Sequence, residues 1–251
     1  MISWWVLLIF LTAIAVVAGI AIRYSRKKPT FRGVPAALIT RVIAGIHLLV
    51  AGIGTVTVVL RTLFNSTVSV SLPVREFWPS LPSAVKLDGV YAQVVGGGFS
   101  SAEVEVNGLD GVARIWLAAG ALVQGLTTVM VAVVVMMICT SIIRQDPFRA
   151  VLIRGISFTG IGIIIGGIVW QICAIVGGGM ASVQTLGATG WEINTEMVHW
   201  EDIHQVIGLP RAVTQEWNIE FWPLGIGLSL LAIAAVFRFG QGLKNDTDGL
   251  V

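Results

Sequence analysis

Charge is what this 251-residue chain has least of: 12% of its residues are Asp, Glu, Lys or Arg, about half the ~25% usual in soluble domains. Its five longest apolar runs contain no Asp or Glu at all, which excludes a carboxylate proton relay within them. Cysteine is down to two, Cys139 and Cys173, in separate runs, too few for a disulfide framework or a thiolate metal cluster; both read as small buried side chains. Gly96-Gly97-Gly98 lacks the following helix and Lys of a phosphate loop and reads as a flexible turn. These absences argue against an enzyme, and no catalytic, cofactor-binding or metal site and no nucleic-acid partner is expected.

In place of charge there is apolar surface, 55% of residues with a mean hydropathy of +0.87. Runs over residues 3–22, 35–60, 113–140, 155–178 and 222–240 each supply the ~20 residues a helix needs to cross a ~30 Å hydrocarbon core. The expected fold is an all-α polytopic membrane protein, a single membrane domain over 1–251. Its five-helix bundle carries a small extracytoplasmic β subdomain and a short amphipathic outer helix.

Orientation follows from the basic residues. The 23–34 connection carries Arg23, Arg26, Lys27, Lys28 and Arg32 with no acid, which assigns it to the cytoplasm. Alternation then puts 61–112 and 179–221 outside and 144–154 and the C-terminus inside. The charges agree. Arg144, Arg149 and Arg154 oppose only Asp146 in the inner loop, whereas 179–221 sets Arg211 against Glu192, Glu196, Glu201, Asp202, Glu216 and Glu220, a net of −5. A cleavable signal peptide carries its positive charges before the apolar run, and here they follow it. Residues 3–22 therefore read as an anchor, with the N-terminus extracytoplasmic, in a multi-pass protein of the bacterial plasma membrane.

The outer connections have structure of their own. Val68, Val70 and Leu72 alternate with Ser and Thr at the period of a strand. Asp88-Gly89, flanked by 84–87 and 90–95, suits a two-residue hairpin, and Asn107-Gly108 after 103–106 reads as a second such turn. In the acidic, Trp-rich 179–221 loop, Met197, Trp200, Ile203 and Ile207 recur at helical spacing between an Asn194 or Thr195 cap and the stop Gly208-Leu209-Pro210. Trp4, Trp5, Trp78, Trp116, Trp191, Trp217 and Trp222 fall near the outer boundary, where indoles favour headgroups.

His47 and Gln124 form the candidate intramembrane polar pair. Counted from Pro35 and from Arg114, each stands ten to twelve residues into its run, and an intramembrane ionisable group is a functional hypothesis. Arg41 and Arg238 lie near the inner ends, where they can snorkel. Gly162 with Gly166, and Ala121 with Gly125, are small residues four apart and mark close helix packing. Glu196 and His199, with His204 nearby, have a metal-like spacing, but one such element without facing carboxylates reads as a polar rim. Asn65-Ser66-Thr67 matches the N-glycosylation pattern.

Arg144-Gln145-Asp146-Pro147-Phe148 after the third run, and Phe237-Arg238-Phe239-Gly240-Gln241-Gly242-Leu243-Lys244 leading to Asp248-Gly249-Leu250-Val251, resemble a bacterial integral-membrane family catalogued as domain of unknown function 2975. The resemblance covers 35–251 and implies four spans and a cytoplasmic Pro-Phe loop motif, with no assigned activity. The run 3–22 lies outside that pattern, and Arg149-Ala150 stands where the family commonly has Asn after Pro-Phe.

Without chemistry but with shaped outer loops, the expected role is a non-catalytic accessory subunit or assembly factor of a larger bacterial membrane complex. Richness in Val, Ala and Gly suggests an actinobacterial respiratory supercomplex as host. Trp191, Trp200, Trp217, Glu201 and Asp202 are the expected partner contacts, and the lipid bilayer is the other partner. A small transporter or channel using the midplane polar residues, and a membrane sensor, are the alternatives.

Overall fold

The computed structural model describes residues 34–78, 94–144, 150–188, 210–215 and 217–248. The expected first span at 3–22, the hairpin at Asp88-Gly89 and the amphipathic helix near 194–208 lie outside the described residues. The element order is α1 (Val34–Phe64), β1 (Thr67–Phe77), β2 (Phe99–Asn107), α2 (Gly111–Ile143), α3 (Ala150–Leu186) and α4 (Trp222–Asp248).

Among the described residues four helices are long and apolar enough to cross a membrane: Ala36–Phe64, Gly111–Ile143, Ala150–Leu186 and Trp222–Leu243. All four overrun the apolar runs that announce them. At ~1.5 Å per residue the 37 residues of α3 reach about 55 Å, because the backbone ladder continues through Ser182, Gln184 and Thr185 into polar surroundings. Hydropathy marks where a helix meets lipid; hydrogen bonding and caps mark where it ends.

Contacts divide the chain into two compact units. The first comprises Met1–Thr57, Leu122–Val169 and Glu220–Val251. Within it, consecutive helices pack antiparallel through glycines, since in lipid close backbone approach replaces the hydrophobic drive. Gly125 of α2 lies against Thr55 of α1, and Gly45 of α1 faces the Met136 sulfur. Gly155, Gly162 and Gly166 put one side of α3 against Met137, Met130 and Thr127 of α2. Gly160 and Gly167 put the other against Gly227 and Pro223 of α4. Val134, Leu152, Ile153, Ile156 and Ala234 form the buried cluster of this unit. Hydroxyls are satisfied inside their own helices: Thr55 donates to the Ala51 carbonyl at 2.7 Å, Thr128 to Gln124 at 2.9 Å and Ser157 to Ile153 at 3.0 Å.

The second unit comprises Val58–Ala121 and Trp170–Ile219. Here β1 and β2 pair antiparallel, Val68 with Val106, Val70 with Val104 and Leu72 with Ala102. The period-two pattern buries Val68, Val70, Leu72 and Val74. Val70, Leu72 and Val74 cluster with Leu109, Ala113, Ala181 and Leu186, the buried residues that α2, α3 and the β2–α2 connection contribute. The expected hairpin at Asn107-Gly108 does not form. Gly108 does take the positive φ of 79° that such a turn uses, but Leu109 buries and Asp110 caps α2, so the chain leaves the strand into a helix. Val94 and Val95 are likewise outside any strand.

Candidate functional site

The N-terminal end of α2 is built around two charged side chains. The Asp110 carboxylate accepts the Ala113 N–H at 2.8 Å, the N-cap arrangement that satisfies a donor the first turn cannot. The Asp110 N–H donates to the Gln184 side-chain oxygen at 3.0 Å, tying the start of α2 to the end of α3. The Ala113 N–H, and secondarily the Gln184 side chain, hold the Asp110 carboxyl below its ordinary value of 3.8. One turn on, Arg114 donates to three carbonyls: Nε to Leu109 at 3.0 Å, Nη2 to Ser66 at 3.1 Å, and Nη1 to Asn65. Asn65 and Ser66 follow the last turn of α1, where unpaired carbonyls and the helix dipole both favour a cation. Ser182, fully buried, donates to the Pro73 carbonyl at 2.7 Å and accepts the Val213 N–H at 3.2 Å. Segment 210–215 borders β1 through the Arg75 N–H to Arg211 carbonyl bond and the Val74–Ala212 bridge.

These groups are occupied in holding the sheet, which leaves its other face free to act. Thr67, Ser69 and Ser71 stand opposite Asn107, Glu105 and Glu103, so the outward face is polar and acidic. At the far end of the strands, Trp78 and Phe99 are about half exposed and stack with centroids 5.3 Å apart and planes within 7°. Phe77 meets Phe99 at 6.0 Å. Glycine makes this geometry available. Gly97 has φ +88°, and at Gly98 a Cβ would overlap the Phe77 carbonyl. Glu103 and Glu105 stand four and six residues further along β2 than Phe99, so one strand carries both an aromatic anchor and steering charge. Trp217, an expected contact residue, is exposed in this unit as well. Trp191, Trp200, Glu201 and Asp202 lie outside the described residues.

In the first unit His47 and Gln124 are both exposed, and the structure does not bring them together. The Thr55–Gly125 and Gly45–Met136 contacts set the register, which makes His47 level with Val133 and Gln124 level with Val56. About nine residues, on the order of 14 Å of rise, separate the two levels. Counting inward from opposite membrane surfaces fails because the helices are longer than the hydrocarbon is thick. The two residues do share a side. At about 100° per residue, antiparallel helices turn Thr40, His47 and Gly54 of α1 and Gln124 and Thr128 of α2 into one groove. The opposite groove presents Val56, Leu122, Leu126 and Val133, all exposed and apolar.

Gly162, Gly166 and Gly125 pack within the chain, and Ala121 is half-buried. Cys139 and Cys173 are free and buried, and among the described residues no group of His, Cys, Asp and Glu could hold a metal ion. The Asp110–Gln184 cap and the Arg114 carbonyl clamp escaped sequence reasoning. The signal for Arg114 was an arginine at the head of an apolar run on the expected outer side, where the charge rule disfavours it. No family model matches the chain, and comparison with curated proteins and with solved structures likewise finds no match.

Proposed function

We propose that the protein is a non-catalytic accessory subunit or assembly factor of a larger bacterial membrane complex, with a respiratory supercomplex as the favoured host class. The observation that supports this reading is the exposed Trp78–Phe99 stack at the end of the strand that also carries Glu103 and Glu105. A large aromatic pair left in water is costly unless a partner covers it. The acidic Trp-rich loop, with Trp191, Trp200, Trp217, Glu201 and Asp202, extends the same surface chemistry in sequence. On this reading the surface is extracytoplasmic, since the all-basic 23–34 segment belongs inside. The resemblance to the four-span family of unknown function is part of the same proposal.

Affinity purification from the source membrane tests it. Trp78→Ala should lose partners that the wild type retains through extended washing, and Glu103→Gln with Glu105→Gln should slow capture chiefly at low salt. Undiminished recovery with Trp78→Ala would remove this surface as the interface. An impermeant thiol reagent that labelled Lys28→Cys from outside would overturn the orientation.

A small transporter is the second reading, favoured by the polar groove of Thr40, His47, Thr128 and Gln124. It requires that groove to admit water in the folded protein.

A further inference from the structure

The sheet is engaged on one side and open on the other. The Pro73 carbonyl accepts the Ser182 hydroxyl at 2.7 Å and the Arg75 N–H donates to the Arg211 carbonyl at 3.0 Å, so these backbone groups of β1 are turned away from β2. The Ser71 carbonyl is turned the same way, toward Gly178 of α3. Backbone groups alternate sides along an antiparallel strand, so Val68, Val70 and Leu72 exchange the ladder bonds with their partners Val106, Val104 and Ala102. Ser101, Glu103 and Glu105 then direct their N–H and C=O groups to the far side of β2. Among the described residues no backbone group pairs there.

Cover is also thinner on that side. Val68, Val70 and Leu72 are buried, whereas Ala102, Val104 and Val106, opposite them on the same face, are only half-buried, although Val104 and Val106 pack against the same cluster. On the other face Glu103 and Glu105 are exposed, and among the described residues neither carboxylate meets a cation. Two residues apart on one strand, they stand on the order of 7 Å from one another.

We propose that this edge of β2 receives, as an added strand, an extended segment of a partner protein in which Lys or Arg alternates with apolar residues. The inference rests on the accessory-subunit reading and gives it a mode of recognition. A strand laid there takes up the N–H and C=O groups of Ser101, Glu103 and Glu105. Its cations, two residues apart, come within the ~5 Å at which cross-strand neighbours interact, opposite Glu103 and Glu105. The apolar residue between them falls on the other face, where it completes the cover of Val104. Main-chain bonds supply the affinity, and the alternation of charge with apolar surface is the recognition signal.

Amide hydrogen exchange tests the proposal on the full chain in a non-ionic detergent, with the capped peptide Lys-Val-Lys-Val-Lys as probe. Exchange at Ser101, Glu103 and Glu105 should slow several-fold when peptide is added, while Ala102, Val104 and Val106, bonded to β1, stay as slow as before. Lys-Lys-Lys-Val-Val, of the same composition, should not have this effect. Glu103→Lys with Glu105→Lys should lose the response to the basic peptide and gain it toward Glu-Val-Glu-Val-Glu; unchanged exchange at Val104 and Val106 shows that the variant is folded. Binding without slowed exchange, or an equal effect from the contiguous lysines, would mean that the acids act only as a charged surface. Exchange already slow at Ser101, Glu103 and Glu105 without peptide would mean that this chain covers its own edge, and slowing with protein concentration alone that a second copy does. Each of these results overturns the proposal. If the charge-reversed chain keeps every native partner that Trp78→Ala releases, strand addition fails while the interface stands. If it loses a partner that Trp78→Ala retains, the aromatic surface fails and strand addition stands.

Discussion

Gly125 of α2 sits so close to Thr55 of α1 that a Cβ on the glycine would overlap both the hydroxyl and the methyl of the threonine. This contact keys the two helices and thereby decides which of their residues share a depth.

Gly125→Val should therefore separate the helices or slide them. A cost of about 1 to 3 kcal/mol is expected, as for overpacking in a tight interface. Thr55→Gly in the same molecule should recover a large part of it. Thermal unfolding in one detergent, carried through the double-mutant cycle, measures the coupling; additivity within ~0.3 kcal/mol would show that the two positions do not touch.

Arg114 closes three carbonyls at once, and a lysine cannot span them. Both Arg114→Lys and Arg114→Met should loosen the α1–β1 junction, with the methionine worse by the loss of charge. A hydrogen bond to a charged group contributes on the order of 1.5 to 3 kcal/mol, reduced here by the partial exposure of the side chain. Hydrogen exchange at Thr67–Phe77 should rise in both variants and stay unchanged in Arg75→Met.

The Asp110 carboxyl is held below its ordinary value of 3.8, chiefly by the Ala113 N–H. A group whose folded value is depressed adds stability above its unfolded value and loses it as pH falls through the folded one. The second unit should accordingly weaken below about pH 4 and not between pH 5 and 8. In Asp110→Asn, which caps at any pH, that acid-dependent component should vanish from a fluorescence titration.

Gly98→Ala should break the Trp78–Phe99 stack without touching either ring, because the new methyl must push the Phe77 carbonyl aside. Aromatic pairing is worth about 0.5 to 1.5 kcal/mol. The measurable result is a shifted Trp78 emission and the loss of whatever partner Trp78→Ala loses.

Where an element follows from local periodicity, the sequence announces it. Four apolar runs and the Val68, Val70, Leu72 alternation each correspond to an observed helix or strand, with helix ends several residues further out. Relations between elements are less legible. Gly108 advertises a turn, yet whether another strand or a helix follows depends on Leu109 finding a pocket and Asp110 finding Ala113. His47 and Gln124 each look central in their own helix, and only the Thr55–Gly125 register shows them on different levels. Arg114 is invisible as a clamp because all its partners are backbone carbonyls, which every residue possesses.

The two-stranded sheet leaves one more matter to settle, namely its own solubility. Segment 210–215 borders β1, but among the described residues nothing pairs with the free edge of β2. A bare edge is a template on which another copy can polymerise. Glu103 and Glu105 alternate along that strand, so a second copy laid parallel and in register would bring carboxylates of like sign together at each. The acidic strand thus discourages self-association of this kind, while leaving the surface open to a partner that brings positive charge.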